Sequence, residues 1–173
     1  MAYTTVGGDI LPIEVTNYDG EGKLLLTGSL GNVMQESAQI ALSYVKTNAK
    51  KFDIDEKEFL EKDIHIHVPD GAIKKDGPSA GIALVSALIS LFKDIPVDSS
   101  ISMTGEITLS GKVLPIGGLR EKVIGAKRAG IKTIFVPKKN KNDIEELDKE
   151  VKSDLKFIYI NDYYDIFGHL FRS

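Results

Sequence analysis

An apolar run over residues 80–92 limits what this chain can fold into more than any other feature. Ten of its thirteen residues are apolar, which predicts a helix that is buried nearly all round. Directly before this helix, in the stretch DGPSAG, Ser79 stands between two glycines. The first amides of a helix have no intrahelical partner, and the helix dipole favours negative charge there. A serine at this point therefore suits either a helix cap or a nucleophile.

The composition fits one domain, residues 1–173, and excludes several kinds of site. The net charge of −3 gives no bulk attraction to nucleic acid or to an anionic membrane. Because the chain has no cysteine, it has no disulfide, no thiolate metal site and no cysteine nucleophile. No secretion signal and no apolar run long enough to span a bilayer are visible in the sequence, so we expect a soluble protein.

Strand and helix patterns alternate along the chain and predict an α+β domain with a mixed sheet. Two apolar segments, LPIEVT (11–16) and KLLLTG (23–28), flank a glycine-rich turn and predict a hairpin. The segment DIHIHV (63–68) alternates as a strand that buries Ile64, Ile66 and Val68. The helix predicted from Asn32 carries one apolar stripe, which consists of Val33, Ser37, Ile40, Ala41, Tyr44 and Val45.

Further elements are expected along the rest of the chain. They are a short charged helix at 55–62, a strand, turn and strand over 100–115, a helix over 119–129 that ends at Gly130, a strand at 132–137, a charged helix from Asn142, a strand at 156–160 and a short helix around 163–167. The mixed charges near Asn142 predict a solvated helix face.

Lys122 is an anomaly on the helix predicted over 119–129. With 100° between successive residues, the apolar stripe of this helix consists of Leu119, Val123, Ala126 and Ala129. The charged residues off the stripe are Arg120, Glu121, Lys127 and Arg128. Lys122 falls within the stripe. A lysine on the buried side either extends its amine outward to solvent or keeps the amine buried, which indicates a functional role.

Ser79 and Lys122 together suggest an acyl-transfer site. A serine hydroxyl is a poor nucleophile until a base takes its proton, and a lysine can do so only when it is neutral. Burial in an apolar pocket lowers the pKa of a lysine and so supplies the neutral form. Thr104 could hydrogen-bond the amine, and helix-terminal amides near Ser79 could hold an oxyanion.

Three other interpretations of the motifs are weaker. The G-x-S-x-G pattern at Ser79 is also that of α/β-hydrolases, but the chain is short and only His169 follows the serine. GEITLSGK resembles a phosphate-binding loop, yet its spacing is one residue too long and Val113 replaces the magnesium ligand. His65 and His67 are expected on the same face of a strand, and the simplest interpretation is that they are polar residues on its less buried face. A histidine that acts as the base for Ser79 is an alternative that the sequence leaves open.

Four blocks of sequence, in family order, resemble the proteolytic domain of Lon, the ATP-dependent serine protease, in its bacterial and mitochondrial form. They are LTGSLGNVMQESAQIALSYV, HIHVPDGA, KDGPSAG and MTGEITLSGKVLPIGGLREKVIGAKRAGIKTIFVP, and the similarity extends over about residues 3–160. The resemblance implies that Ser79 is the nucleophile and Lys122 the general base, with Thr104 beside the lysine. It implies supporting positions near the site for Glu106, Asp76, His65 and His67.

The resemblance also implies what acts together with this domain. In the family, a substrate-binding region and an ATPase module precede it, so ATP and magnesium are expected there, and no cofactor or metal is expected on this chain. The implied substrates are unfolded polypeptides, namely misfolded, damaged and short-lived regulatory proteins. The implied assembly is a hexamer in the bacterial cytoplasm, without membrane or DNA binding. The alternative is a non-catalytic Lon-like scaffold or DNA-associated module, which would not need both Ser79 and Lys122.

Overall fold

The computed structural model describes residues 1–4, 7–69 and 74–172, with only the backbone described at residues 3 and 4. Residues 70–72 of the HIHVPDGA block lie outside this part. The strands are β1 (Ala2–Thr4), β2 (Gly7–Asp9), β3 (Glu14–Asp19), β4 (Leu24–Thr27), β5 (Lys62–His67), β6 (Ile101–Met103), β7 (Glu106–Ile107), β8 (Val113–Leu114), β9 (Thr133–Pro137) and β10 (Lys156–Ile160). The helices are α1 (Asn32–Thr47), α2 (Glu58–Glu61), α3 (Gly81–Lys93), α4 (Leu119–Arg128), α5 (Lys141–Glu145), α6 (Lys149–Lys152) and α7 (Tyr163–Leu170).

The predicted α+β class with a mixed sheet is confirmed. The mixed sheet has the order β3-β5-β4, in which β5 pairs antiparallel with β3 and parallel with β4. A second sheet, β10-β9-β6, is parallel throughout. Its central strand β9 is buried from Ile134 onward, as expected for a parallel strand covered on both faces. Two short antiparallel pairs, β1–β2 and β7–β8, complete the pairing of the described strands.

The predicted hairpin between β3 and β4 is wrong, because β5 lies between the two strands. The glycine-rich segment that follows β3 passes around the start of β5 instead. The Asp63 carboxylate accepts hydrogen bonds of 2.8 Å from the amides of both Glu21 and Lys23. The Gly20 amide donates to the Glu61 carbonyl at 2.8 Å. Turn residues between two apolar segments predict a turn, but they do not show whether a third strand separates its two arms.

Helix α3 supports the main hydrophobic core, and its predicted burial is confirmed. Seven of its residues are buried, including Ile82, Leu84 and Leu88 at 0% exposure. This core joins α3 to α1, to α7 and to the inner face of β5, where Ile64 and Ile66 lie. A second core packs α4 and α5 against the other face of β9. The start of α3 therefore has a fixed place between the two sheets.

Two of the predicted apolar stripes are wrong at their ends. Val33 is 44% exposed on α1, where Met34 is buried instead. On α4, Ala129 is exposed and Gly125 takes its place on the buried face. The helix ends as predicted, with Gly130 at a φ of 79°. The charged segment after Asn140 forms two short helices, α5 and α6, rather than one.

Candidate active site

Ser79 lies in the turn that leads into α3, and its backbone is fixed from outside the helix. Its carbonyl accepts a hydrogen bond of 2.8 Å from the Gly105 amide and one of 3.4 Å from the Thr104 hydroxyl. The Gly105 carbonyl in turn accepts from the Ile82 amide at 3.2 Å. The segment between β6 and β7 is thus hydrogen-bonded both to the Ser79 carbonyl and to the first turn of α3.

Lys122 extends from the second turn of α4 towards this serine. Its amine lies 3.0 Å from Ser79 Oγ and 3.4 Å from Thr104 Oγ1. Lys122 is 3% exposed and Thr104 is fully buried, so the amine and the threonine hydroxyl are shielded from solvent. The Thr104 amide donates to the Phe135 carbonyl of β9 at 3.1 Å. The structure therefore brings together Ser79, Lys122 and Thr104, which come from three separate parts of the sequence.

Burial changes the chemistry of the Lys122 amine. It lowers the pKa of Lys122 from its ordinary 10.5 to about 8, because the charged form loses hydration inside the protein. At this pKa roughly a tenth of the amine is neutral at pH 7. A neutral amine within hydrogen-bond distance of a serine hydroxyl can take its proton. The arrangement is thus suited to activate Ser79 as a nucleophile.

Asp76 does not contact the serine or the lysine, although it precedes Ser79 by only three residues. Its Oδ1 accepts hydrogen bonds from the Met34 amide at 3.1 Å and from the Gly77 amide at 2.9 Å. Both bonds lower the pKa of Asp76, and the bond from Gly77 contributes more than the bond from Met34. Met34 lies in the first turn of α1, whose N-cap residue Gly31 has no side chain to offer. Asp76 therefore caps α1 from a distance and ties the loop before Ser79 to that helix.

His65 and His67 lie on the outer face of β5, and the hydrogen bonds described for their rings go to Thr27 and not to Ser79. Thr27 of β4 lies between them: its hydroxyl is 2.8 Å from His65 Nε2 and 2.7 Å from His67 Nδ1. A hydroxyl has one proton, so it can donate to only one of the two rings while accepting from the other. The two histidines thus belong to the surface of the β3-β5-β4 sheet.

Glu106 is half-buried on β7, where it is paired with Leu114 of β8. It makes no hydrogen bond or ion pair with Ser79 or Lys122 within the described part of the chain. Of the five residues that the sequence places around the dyad, only Thr104 has a hydrogen bond to Ser79 or Lys122 within the described part of the chain.

Sequence reasoning missed two residues that shape this region. Gly105 supplies the amide that holds the Ser79 carbonyl, and nothing in the stretch MTGE distinguishes it from an ordinary turn glycine. Lys75 is 5% exposed and donates from its amine to the Gly28 carbonyl at 3.0 Å. Its position beside a glycine-rich loop gives no sign of burial, because a lysine in a loop is usually solvated.

A cleft of about 670 Å³ opens onto Ser79. Its walls include Gly77 and Ala80 beside the serine, Ile10 and Pro12 after β2, and Arg128 on α4. The cleft gives a polypeptide room to reach the Ser79 hydroxyl from solvent. No group of three or more His, Asp or Glu side chains that could hold a metal ion occurs among the described residues. No helix in this part of the chain is both long and apolar enough to cross a membrane.

Replacing Asp76 with alanine should disturb the serine through the loop. The variant loses the hydrogen bonds to Met34 and Gly77, so we expect the thermal midpoint to fall by about 2–4 °C. We also expect a drop of about tenfold or more in kcat/KM for a short peptide, because a small shift of the nucleophile is costly. Asp98→Ala is the matched control: Asp98 is an exposed acceptor for the Ser100 amide at 2.7 Å, outside the cleft. Unchanged kcat/KM in Asp76→Ala would contradict the positioning role.

Comparison with known proteins gives a consistent result. All 173 residues match the family model of the Lon protease (S16) C-terminal proteolytic domain. The Lon protease of Mycoplasma mycoides subsp. mycoides SC is 57% identical over the whole chain, which covers 22% of that protein. Lon protease 2 of Thermus thermophilus is 55% identical over 92% of the chain and 20% of its own length. The Lon protease of Aquifex aeolicus is 51% identical over 96% of the chain and 21% of its own length. The chain thus spans about a fifth of the curated relatives that it matches.

Proposed function

This chain belongs to the family of Lon protease (S16) C-terminal proteolytic domains, and on that premise we propose that it is a serine endopeptidase with a Ser79–Lys122 dyad. The observation that carries the proposal is the 3.0 Å distance between Lys122 Nζ and Ser79 Oγ at a buried amine. A lysine held this way has both the reach and the lowered pKa that a general base needs.

In the first half of the reaction, Ser79 Oγ attacks the carbonyl carbon of the peptide bond. The neutral Lys122 amine takes the hydroxyl proton as the new C–O bond forms. The resulting oxyanion forms beside the N-terminus of α3, where the helix dipole favours negative charge. The C–N bond then breaks, Lys122 returns its proton to the leaving amine, and the acyl group stays on Ser79.

In the second half, water attacks the Ser79 ester. Lys122, neutral again, takes a proton from the water as it adds to the ester carbonyl. The C–O bond to Ser79 breaks, the proton passes back to Oγ, and the carboxylic acid product leaves. Thr104 keeps the amine oriented throughout, because its hydroxyl lies 3.4 Å from Lys122 Nζ and 3.4 Å from the Ser79 carbonyl oxygen.

The substrates that we propose are unfolded polypeptides, namely misfolded, damaged or short-lived regulatory proteins. The cleft beside Ser79 can take an extended chain but not a folded domain, because 670 Å³ is the size of a small-ligand pocket. The chain corresponds to about a fifth of its relatives, so we propose that it works as the peptidase part of a longer, hexameric protease in the bacterial cytoplasm. ATP and magnesium then act on another module and not on this one.

A non-catalytic Lon-like scaffold or a DNA-associated module is the competing proposal. Neither role requires a buried lysine next to a serine hydroxyl, and keeping a cation at 3% exposure opposes folding. The net charge of −3 also gives DNA no electrostatic attraction. These two observations favour the endopeptidase.

A probe that reacts covalently with an activated serine separates the two proposals. We expect a small fluorophosphonate to label the chain once, at Ser79, as mapped by mass spectrometry of the digested protein. Ser79→Ala should abolish the labelling. Ser86→Ala is the matched control, because Ser86 lies on α3 at 2% exposure and donates to Ile82 O at 2.9 Å, away from the cleft. Absence of labelling at Ser79 in a folded sample at pH 9, where Lys122 is mostly neutral, would favour the scaffold.

A further inference from the structure

Strand β2 lies on α4 with no side chain between the two backbones at one point. A Cβ added to Gly8 would lie 1.8 Å from the Glu121 carbonyl oxygen and 2.9 Å from the Lys122 amide nitrogen. From the other side, a Cβ on Gly125 would lie 2.5 Å from the carbonyl carbon and oxygen of Gly8. Distances this short leave no room for a methyl group, so only glycine fits at either position.

The contact is reinforced by a hydrogen bond from the end of the helix. Arg128 Nη2 donates to the Gly8 carbonyl at 2.8 Å. Gly8, Gly125 and Arg128 also line the cleft that opens onto Ser79. Strand β2 is therefore one wall of the cleft, and it is fixed beside the helical turn that carries Lys122.

We propose that Gly8 and Gly125 are positioning residues for the Lys122 base: their contact holds β2 against α4 and so closes the base off from solvent. This inference rests on the proposed function, in which Lys122 acts as the base. If β2 moved outward by the width of a methyl group, the cleft would widen at α4 and water could hydrate the amine. Hydration stabilises the charged form, which cannot accept a proton.

Besides Lys122, α4 carries four charged residues, namely Arg120, Glu121, Lys127 and Arg128, and the elements around it add Asp9 on β2, Glu106 on β7 and the Met1 amino group before β1. Burial first, and then the charge of Lys122, lowers the pKa of this amino group to about 5. It is therefore uncharged over the range in which Lys122 titrates. Burial is the cause that lowers the pKa of Lys122. In the proposal, β2 therefore acts on this pKa by keeping water away from the Lys122 amine.

Gly125→Ala isolates this effect, because the substitution favours the helix itself. Alanine in a helix interior is intrinsically more favourable than glycine. Any loss of function in the variant therefore comes from the displaced β2 and not from a weakened α4. Gly168→Ala is the matched control, since Gly168 is also helical, on α7, and an added Cβ there meets nothing within 4 Å.

The experiment is an NMR titration of the Lys122 side chain together with the pH dependence of kcat/KM on a short peptide. In Gly125→Ala we expect the pKa of Lys122 to rise by at least about one unit, and kcat/KM at pH 7 to fall about tenfold for each unit. The deficit should shrink as the pH approaches 10. Arg128→Gln removes the hydrogen bond to Gly8 together with one positive charge, so Lys127→Gln serves as its charge control: Lys127 is on the same helix, but its amine contacts Glu150 and Ser153. Arg128→Gln should shift both quantities less than Gly125→Ala, in the same direction, and more than Lys127→Gln does. Gly168→Ala should behave as the unmodified chain.

An unchanged Lys122 pKa in folded Gly125→Ala and in Arg128→Gln would overturn the inference, as would an activity loss that is equal at every pH. If Gly125→Ala does not fold, the difference between Arg128→Gln and Lys127→Gln decides by the same titration. Failure of the proposed function has a different signature. In that case Lys122→Ala stays active, while the NMR titration still reports whether the contact controls the hydration of Lys122.

Discussion

Lys122→Ala should lower kcat/KM for a short unstructured peptide by 10²–10⁴-fold, since that is the usual contribution of a positioned general base. Ser79→Ala should leave no acyl-enzyme and no measurable turnover, because Ser79 Oγ provides the bond to the acyl group. Hydrolysis of a fluorogenic peptide at pH 8 measures both effects. Circular dichroism should show that the two variants keep the fold.

Lys127→Ala provides the matched control for the lysine. Lys127 lies on the same helix, but its amine contacts the Glu150 carbonyl and the Ser153 hydroxyl on the side of α4 away from Ser79. Its removal should therefore leave kcat/KM close to that of the unmodified chain. Should Lys122→Ala keep more than roughly a tenth of the activity, the lysine is not the base.

The second large effect is the dependence of activity on pH. With a Lys122 pKa of about 8, the fraction of neutral amine falls about tenfold for each pH unit below that value. We expect kcat/KM at pH 6 to be roughly a hundredfold below its plateau, with a single ionisation near pH 8. An ordinary lysine would place this rise near pH 10.5 instead.

Lys122→Arg should abolish the rise near pH 8, because a guanidinium stays charged throughout this range. A rise that appears only near pH 10 would contradict a lysine base with a lowered pKa. A rise near pH 6–7 that disappears in His67→Gln would transfer the role of base to the histidine, although His67 is bonded to Thr27 in this structure.

The same lowered pKa makes the stability of the fold depend on pH. Below about pH 8, Lys122 is charged in both the folded and the unfolded chain, and burial of the cation destabilises the folded one in full. As the pH rises from about 8 to 10.5, the folded lysine loses its proton before the unfolded one does. The free energy of unfolding of the unmodified chain, compared with that of Lys122→Met, should therefore increase between about pH 8 and 10.5. Urea unfolding of both proteins at several pH values measures this difference.

The sequence predicts the dyad better than it predicts what surrounds it. The burial of α3 follows from its apolar residues, and the position of Lys122 follows from the stripe of α4, since both depend on helical periodicity alone. The distance between Ser79 and Lys122 does not follow from periodicity; the need of a serine for a base and the resemblance to a family suggest the pair. Their places as nucleophile and base stay a prediction until the variants are measured.

The errors arise where contacts over long sequence distances override a local pattern. The turn after β3 has the composition of a hairpin, yet the Asp63 carboxylate accepts hydrogen bonds from its amides although it lies 40 and 42 residues further along the chain. The resemblance places Asp76 near the site, and it lines the cleft together with Ser79; what the sequence does not reveal is that its carboxylate caps α1. Gly125 replaces Ala129 on the buried face of α4 because β2 packs there, and no periodicity within the helix reveals an approaching strand.

The insertion of β5 between β3 and β4 also governs the order in which the chain can fold. Neither outer strand has a partner close in sequence: Thr16 and Leu25 are both paired with His65. The entropy of closing these long loops must be overcome before any pairing of this sheet is formed, which slows folding relative to a local hairpin. Ser79 lies between β5 and α3 in the sequence, so we expect the loop that carries it to stay unanchored at its first end in a chain whose β3-β5-β4 sheet has not yet paired.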